Sequence, residues 1–393
     1  MKRSGRWLLP EGIEEVLPGD AARLEALRRR LLDVLERRGF NLVLPPLVEF
    51  LDALLTGVGE DLDLQTAKLT DAVSGRLLGL RADHTPQIAR MDAHYLRHEG
   101  PSRLCYCGTV FRSSPGEIES AREPLQIGAE LYGCAESDAD GEIAEAMADV
   151  LQAAGVPDLH LHLGHVGVYR ALTQWSELPD GLEDELFDAL KRQSRPDVGE
   201  ILSGFPDQGP AFLSLLEMRG GTTTIDRARR LYERVPHADA ALSNLAALVE
   251  RLTRTLKGVH ITVDLSDLEG YRYHTGAVFN AYTPGYGRAL ARGGRYDEIG
   301  KAFGRARPAT GFSADLRQLL RYDASNSPGT AILAPAHSDA ALDSTVKRLR
   351  ADGERVIRAL PGETEAQLAS QCDRRLVKSS DGWCVEVFGG RRT

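Results

Sequence analysis

Four leucines near the start of the chain lie three or four residues apart: Leu24, Leu27, Leu31 and Leu35. This spacing places them on one face of an amphipathic helix, with Asp20 as a capping residue before it and Gly39 as a stop signal after it. The apolar run from Phe40 to Leu44 predicts a strand. Two prolines follow this run. Since proline has no N–H to donate, we expect the strand at a sheet edge or an interface.

The segments RLCYCGTVFR and PLQIGAELYG predict two antiparallel strands joined by a long loop. Two sets of residues alternate in the second segment, apolar Leu125, Ile127, Ala129 and Leu131 with Gln126, Gly128 and Glu130. Alternate residues of a strand face opposite sides of a sheet. The second set predicts the floor of a pocket, because a glycine between two hydrogen-bonding side chains admits a ligand closely.

A helix N-terminus is predicted directly after a short strand. The residues from Leu77 to Leu80 predict the strand, and Thr85 with Pro86 predicts the N-cap and the first residue of the helix. Such a junction aims free backbone N–H groups and a partial positive charge at whatever lies beside it.

Helical patterns dominate a block at about 160–258, which we interpret as a helical insertion, and strands resume at His260. The segment RYDASNSPG is rich in turn-forming residues and predicts a linker. Beyond it, TAILAPA, a helix near 339–351 and ERVIRAL form a β-α-β pattern. We therefore expect an α+β fold with a large domain at 1–320, a linker at 321–328 and a small α/β domain at 329–393.

Composition excludes several classes of protein. Hydrophobic residues make up 42% of the chain and charged residues 27%, which is ordinary for a globular protein. The net charge of -9 argues against a broad nucleic-acid surface, since phosphate contacts need clustered lysine and arginine. No stretch approaches the ~20 apolar residues of a membrane span, and the five cysteines form no C-x-x-C pair. We expect a cytoplasmic chain with no membrane or nucleic-acid partner.

Residues 1–320 resemble the core of class II aminoacyl-tRNA synthetases, and of histidyl-tRNA synthetase in particular. The segment GFNLVLPPLVEF is similar to the first motif of that family, with Pro46 and Glu49 at its Pro-x-x-Glu. CYCGTVFR and QIGAELYG are similar to the second motif, PATGFSADLRQLL is similar to the third, and the histidine-specific Gly-Gly-Arg-Tyr-Asp is intact at 293–297. The resemblance implies an antiparallel sheet flanked by helices and a dimer interface at the first motif.

The resemblance also implies a pocket for free histidine. LRADHT is similar to the family's Leu-Arg-Pro-Glu-Gly-Thr, with Asp83 as the acid that meets the α-ammonium and Thr85 retained. Arg112 would meet the α-carboxylate, and Glu130 would pair with an imidazole N–H. The remaining positions assigned to histidine binding are Gln126, Tyr273 and His274.

Each of these residues alone has an ordinary structural interpretation. Arg112 would form a surface salt bridge, Glu130 would lie on a solvated sheet face, and Thr85 would only cap a helix. Their joint occurrence in the order and spacing of the family favours the pocket. The histidines of HLHLGH, at 160, 162 and 165, could form a metal cluster, but no fourth ligand is evident nearby, so we predict no metal site.

Residues that the synthetases use to form an adenylate are replaced. The family's catalytic arginine falls on Glu269, its aspartate on Arg272, and a nucleotide-binding arginine of the third motif on Gln318. A carboxylate in place of the first arginine would repel ATP, because that arginine stabilises charge at the reacting phosphate. Three serines stand where the loop of the second motif carries His, Glu and one Arg: Ser113, Ser114 and Ser120. We expect no catalytic residue and no cofactor.

A histidine-binding synthetase core without catalysis resembles the regulatory subunits of ATP phosphoribosyltransferase along the whole chain. The resemblance implies a non-catalytic chain that activates a short-form catalytic subunit in the first step of histidine biosynthesis, within a hetero-octamer of four regulatory and four catalytic chains. L-histidine would be its feedback effector. The alternative is a divergent histidyl-tRNA synthetase or related adenylate-forming ligase. A free-standing histidine sensor acting on translation would need a nucleic-acid or kinase surface that the sequence does not display.

Overall fold

The structure is a computed structural model that describes residues 8–56, 60–114, 121–268, 270–271, 273–324, 331–337, 339–368, 371–380 and 382–388. The chain divides into two compact units. The large unit comprises Met1–Glu15 and Leu24–Asp323, and the small unit comprises Val16–Arg23 and Ala324–Thr393. The linker predicted at 321–328 lies outside the described residues from 325 onwards. The predicted domain boundaries stay a prediction.

The helices have the following bounds: α1 Pro18–Arg37, α2 Leu51–Leu54, α3 Glu60–Gln65, α4 Thr85–Met91, α5 Ser137–Ala153, α6 Val166–Ser176, α7 Asp180–Lys191, α8 Arg195–Ile201, α9 Gly209–Leu215, α10 Thr223–Leu231, α11 Ala238–Thr255, α12 Leu316–Leu319, α13 Ala340–Ala351 and α14 Glu365–Leu368. The amphipathic helix predicted from the leucine spacing is confirmed as α1, in which all four leucines are buried. A turn of π-helix, Asp92–Leu96, continues α4.

The strands have the following bounds: β1 Asn41–Leu42, β2 Val48–Phe50, β3 Ala67–Thr70, β4 Leu77–Leu80, β5 Ser102–Thr109, β6 Leu125–Tyr132, β7 His160–His165, β8 Arg219–Gly220, β9 His260–Asp264, β10 Ala277–Tyr282, β11 Ala291–Arg295, β12 Ala309–Asp315, β13 Ala331–Ala334, β14 Val356–Arg358, β15 Cys372–Ser379 and β16 Gly382–Val387.

A nine-stranded sheet with the order β1-β5-β6-β12-β11-β10-β7-β9-β8 forms the centre of the large unit. Most neighbouring strands are antiparallel, and β1 with β5 and β7 with β9 form the two parallel pairs. The predicted antiparallel pair is β5 with β6, whose ladder runs from Ser102↔Tyr132 to Thr109↔Leu125. Helix α5 packs against this sheet through fully buried apolar residues such as Ile143 and Met147. The predicted α+β class is confirmed.

Within the block at about 160–258, residues 160–165 form strand β7, which pairs with β10 and β9 inside the large sheet. The helices follow from Val166 to Thr255. Leu161 and Leu163 alternate with the histidines of β7 and are fully buried. The extent of the helical insertion stays a prediction.

The small unit has a four-stranded sheet of its own with the order β14-β13-β15-β16. Strand β13 runs parallel to both β14 and β15, and β16 lies at the edge of the sheet, antiparallel to β15. The predicted β-α-β pattern is confirmed by β13, α13 and β14, whereas β15 was not foreseen. Leu342, Val346 and Leu349 of α13 pack on one face of this sheet.

Several apolar side chains around the first motif lie exposed in the large unit. Leu44, Leu47 and Val48 are 71%, 42% and 38% exposed, and they precede or begin β2 of a small sheet with the order β2-β4-β3. This is the segment whose prolines predicted an interface. Among the described helices, none combines the length and apolar character that crossing a bilayer demands.

Candidate functional site

A cavity of about 170 Å³ opens on the large sheet, and several of the predicted histidine-binding residues line it. Strand β6 contributes Glu130, the turn before α4 contributes Asp83, and α4 begins with Thr85. The segment before β10 contributes Tyr273 and His274. These residues lie up to 191 positions apart in the chain, from 83 to 274, and the antiparallel order of the sheet brings them to one place.

Glu130 is the most deeply buried carboxylate of the cavity, with 1% of its surface exposed. Its Oε1 accepts hydrogen bonds from the Thr85 hydroxyl at 3.0 Å and from the Tyr106 hydroxyl at 3.1 Å. Its Oε2 has no hydrogen-bond partner within the described structure. Burial raises the pKa of Glu130 well above its ordinary value, and the charge of Asp83 raises it further. An unpaired buried carboxylate oxygen marks a place for an N–H donor.

This raised pKa predicts a pH effect on stability that depends on Glu130. In the folded chain, Glu130 keeps its proton at pH values above 4.5, which is the ordinary pKa at which Glu130 of an unfolded chain releases its proton. The folded state therefore binds more protons in that window, and stability falls as pH rises through it. Without ligand, the wild-type chain should lose urea resistance relative to Glu130→Gln as the pH rises above the ordinary pKa of 4.5. An unchanged difference between the two proteins as the pH rises would refute the prediction.

Asp83 organises the entrance to helix α4. Its Oδ1 accepts the Thr85 backbone N–H at 2.7 Å, and its Oδ2 accepts from the Gln126 side-chain amide at 2.9 Å. The predicted N-cap at Thr85 is wrong, because the N-cap position of α4 is His84 and the Thr85 hydroxyl is directed at Glu130. Asp83, Thr85 and Glu130 thus form one connected hydrogen-bond network.

Gln126 extends this network to His84. Its Oε1 accepts the His84 backbone N–H at 3.1 Å and lies 2.7 Å from the His84 ring Nδ1. Because that oxygen can only accept, Nδ1 carries the hydrogen. Burial, with the nearby Arg81 charge, lowers the pKa of His84 to about 4, so the ring is neutral near pH 7. The Tyr106 ring stacks on it with centroids 4.5 Å apart.

Tyr273 and His274 form a wall of the cavity. The Tyr273 ring stacks on Tyr296 at 5.1 Å, and within the described structure neither hydroxyl has a hydrogen-bond partner. Burial raises the pKa of Tyr273 well above its ordinary value. His274 Nδ1 lies 3.3 Å from the Arg295 backbone oxygen, and burial lowers the pKa of His274 to about 4. Both side chains are neutral near pH 7 and offer hydrogen bonds without charge.

Two of the predicted residues, Arg112 and Gln126, line an adjoining cavity of about 140 Å³ rather than this one, together with Gln318. The two cavities meet at Arg292 and Ser313, which line both. Arg112 lies beyond the end of β5, where its backbone pairs with Thr66 and donates to Arg122. Its Nε is buried without a partner in the described structure.

The glycine predicted to admit a ligand serves a different purpose. A Cβ added at Gly128 would lie 2.5 Å from the Tyr106 hydroxyl oxygen, so the space beside this glycine holds a protein side chain. Gly311, the register partner of Glu130 on β12, borders the cavity instead. A side chain at Gly311 would collide with the Glu130 carboxylate. The missing side chain at Gly311 is therefore what leaves Glu130 accessible.

Three residues of the site were not among the predicted ones. Tyr106 is fully buried and donates to Glu130, Arg292 lines both cavities, and Tyr296 supports Tyr273. Tyr296 belongs to the intact Gly-Gly-Arg-Tyr-Asp segment, which could have predicted its place in the site. Tyr106 lies in a largely apolar strand, and no sequence pattern there predicted a role in the site.

Two arginines, Arg112 and Arg292, line the adjoining cavity, but the third motif contributes a glutamine to it. Gln318, at the position of a nucleotide-binding arginine, accepts a hydrogen bond from the Tyr286 hydroxyl at 2.5 Å. The neighbouring Arg317 is directed away, with its guanidinium 3.7 Å from Glu123 and a bond to the Glu14 backbone oxygen. Arg317 therefore does not replace the missing arginine. The predicted replacements at Glu269, Arg272 and Ser120 lie outside the described residues.

Comparison with known proteins places the chain in a family. Residues 12–319 match the family model described as histidyl-tRNA synthetase, and residues 328–386 match the one described as the ATP phosphoribosyltransferase subunit HisZ C-terminal domain. The ATP phosphoribosyltransferase regulatory subunit of Chromohalobacter salexigens is 49% identical over 391 residues, which cover 98% of this chain and 99% of that protein. The chain belongs to the family of ATP phosphoribosyltransferase regulatory subunits.

Solved structures agree with this assignment. A Bacillus halodurans protein described as an ATP phosphoribosyltransferase regulatory subunit/histidyl-tRNA synthetase is 26% identical with a TM-score of 0.81, covering 93% of this chain and 96% of that one. Histidyl-tRNA synthetase from a Nostoc species has a TM-score of 0.81 at 18% identity, covering 98% of this chain and 95% of that one, and so shows the fold alone. The predicted class II synthetase-like fold is confirmed, as is the prediction of a regulatory, non-catalytic family member rather than a synthetase.

Proposed function

We propose that this chain binds L-histidine in the cavity at Glu130 and thereby controls an ATP phosphoribosyltransferase catalytic subunit. The unpaired Oε2 of Glu130, buried beside Asp83 and Thr85, is the observation that carries the proposal. A buried carboxylate oxygen without a partner is unfavourable, and a ligand N–H donor would satisfy it. Membership in a family of regulatory subunits supports the regulatory part.

Free histidine has groups that match the cavity. Its imidazole N–H would donate to Glu130 Oε2, and the neutral Tyr273 hydroxyl would meet the other ring nitrogen. Its α-ammonium would lie at Asp83, near the Thr85 hydroxyl. We place its α-carboxylate toward the junction of the two cavities, where Arg292 lines both and Arg112 lines the second. The Arg112 guanidinium would then attract the α-carboxylate of histidine from the adjoining cavity. This is the partner that the sequence analysis assigned to Arg112.

Regulation requires histidine to bind two states of the assembly unequally, because a ligand with equal affinity for both shifts nothing. We propose that the partner is a short-form catalytic subunit, that the assembly is a hetero-octamer of four regulatory and four catalytic chains, and that regulatory chains pair as dimers. The exposed Leu44, Leu47 and Val48 support the dimer, since apolar side chains at an edge are suited to an interface. We also propose a cytoplasmic location and the domain boundaries predicted above.

Reconstitution with a short-form catalytic subunit tests the proposed function. We expect the two chains to co-elute in size-exclusion chromatography, transferase activity to appear when this chain is added, and L-histidine to suppress that activity. Neither chain alone should show comparable activity. Failure of both complex formation and stimulation would overturn the regulatory proposal, while calorimetry with L-histidine would show independently whether the cavity binds it.

The family assignment counts against the predicted alternative, a divergent adenylate-forming ligase. Gln318 and the outward direction of Arg317 count against it, because phosphate chemistry needs cations at the reacting oxygens. Histidine-dependent ATP–pyrophosphate exchange by the purified chain separates the two. Exchange at the rate of an authentic synthetase control would favour the ligase.

A further inference from the structure

A cluster of metal-ligating side chains lies at the start of two parallel strands, away from the histidine cavity. His160 begins β7 and His260 begins β9, and these two residues are register partners. Asp158 lies in the turn before β7. The ligand atoms of these three side chains all lie within 4.8 Å of one another. The sequence predicted no metal site, because it offered His160 with His162 and His165 and no further ligand.

The fold separates the histidines that are adjacent in sequence. His162 Nδ1 lies 3.3 Å from the Arg219 guanidinium, and its ring packs on Tyr282. His165 Nδ1 accepts the Gly167 backbone N–H at 3.1 Å, which occupies that nitrogen. His160 is paired instead with His260, which lies 100 positions later in the chain.

We infer that Asp158, His160 and His260 form a binding site for a divalent transition-metal ion of the Zn²⁺ type. The Asp158 Oδ1 lies 3.2 Å from Nε2 of His260 and 3.6 Å from Nε2 of His160. Tetrahedral Zn²⁺ bonded to imidazole nitrogen and carboxylate oxygen at ~2.0–2.2 Å separates its ligand atoms by ~3.4 Å. The two carboxylate–imidazole separations therefore match those around a shared ion. The two imidazole rings lie stacked with centroids 4.5 Å apart, so binding would turn their Nε2 atoms toward the ion.

The backbone holds the three side chains in this arrangement. The His260 N–H donates to the Leu159 carbonyl at 2.9 Å, and the Thr283 hydroxyl donates to the Pro157 carbonyl at 2.6 Å. Asp158 has a φ of 44°, a left-handed conformation that few non-glycine residues adopt. Backbone strain of this kind persists where its surroundings require it, and here it directs the carboxylate at the two imidazoles.

The ligand set selects the class of ion. Two imidazoles and one carboxylate suit Zn²⁺, Co²⁺, Ni²⁺ and Cu²⁺, whereas Mg²⁺ prefers an all-oxygen set. The side chains of Asp158 and His260 are 54% and 64% exposed, so the ion would keep solvent on its open side. Because β7 precedes α6 and β9 follows α11, such an ion would tie together the two ends of the helical block.

Metal titration of the untagged full chain, first stripped of metal with a chelator, tests the inference. We expect one Zn²⁺ per chain by calorimetry, and a d–d absorption spectrum with Co²⁺ that lacks the near-ultraviolet sulfur charge-transfer bands of cysteine ligation. Asp158→Asn and His260→Ala should each weaken Zn²⁺ affinity by about tenfold or more, since even indirect partners of metal ligands contribute ~10–100-fold. The exposed His98 provides the control, and His98→Ala should bind as wild type.

A second readout separates loss of the site from loss of folding. At the same Zn²⁺ concentration, the thermal midpoint of the wild-type chain and of His98→Ala should rise more than those of Asp158→Asn and His260→Ala. Circular dichroism without metal should be the same for all four proteins. The inference is overturned if Zn²⁺ does not bind the wild-type chain, which would leave the cluster an ion pair, or if both site variants bind Zn²⁺ with wild-type affinity.

Discussion

Replacing Glu130 by glutamine is expected to weaken the binding of L-histidine about 30- to 100-fold, equivalent to about 2–3 kcal/mol. The substitution keeps the shape of the side chain and replaces one acceptor oxygen by an NH₂ group. If the NH₂ group faces the ligand, it meets the ligand N–H, and a donor opposes a donor. If it is turned the other way, the hydroxyls of Thr85 and Tyr106 lose the oxygen to which they now donate.

Isothermal titration of the two proteins with L-histidine measures this effect. Glu99→Gln makes the same chemical change at an exposed residue that does not line the cavity, and it should bind like wild type. Circular dichroism should show that Glu130→Gln is folded. Wild-type affinity in Glu130→Gln would mean that histidine does not use this carboxylate, and the proposed pocket would be wrong.

Replacing Arg295 by methionine is expected to lower the free energy of unfolding by about 3–5 kcal/mol. Arg295 Nε donates to Asp140 Oδ2 at 3.1 Å, and its other nitrogens donate to the backbone oxygens of Cys134 and Glu136 at 3.1 and 3.0 Å. Asp140 is completely buried. Without the guanidinium, a carboxylate would remain inside the protein with its charge uncompensated, which is the costly way to break a buried ion pair.

Urea unfolding measures this loss, and the same helix provides a matched control. Arg103 pairs with Glu142 of α5 at 2.6 Å, but these side chains are 37% and 23% exposed. Arg103→Met should therefore lose less than about 1 kcal/mol. Combining Arg295→Met with Asp140→Asn should recover part of the stability, because the buried charge is gone. Equal losses in the Arg295 and Arg103 variants would contradict the prediction.

Sequence periodicity was a good guide wherever a local pattern decided the structure. The helical repeat of 3.6 residues places the leucines of α1 on one face, and that face is buried. The pair β5 and β6 was found because both strands alternate and lie near each other in the chain. The neighbours of β7 in the sheet were not predicted, because β10 and β9 lie far from it in the chain.

The sequence predicted some residues of the candidate site and misplaced others, for a similar reason. Asp83, Thr85, Glu130, Tyr273 and His274 were assigned by resemblance, and the fold brings them to one cavity. Arg112 was assigned to the same cavity and lies in the adjoining one. A local sequence pattern cannot predict which of two neighbouring cavities a long side chain such as Arg112 will line. That depends on the strands and loops that pack around the side chain.

The sequence by itself determined the helical and strand patterns of the large unit, the family, and the chemical types of the cavity residues. Only the tertiary structure decided that Glu130 keeps one carboxylate oxygen unpaired, that Gly311 leaves that oxygen accessible, and that His160 meets His260. The physical reason is common to all three. Each depends on the register between strands that lie far apart in the chain, and register is settled by packing of the whole sheet rather than by neighbouring residues.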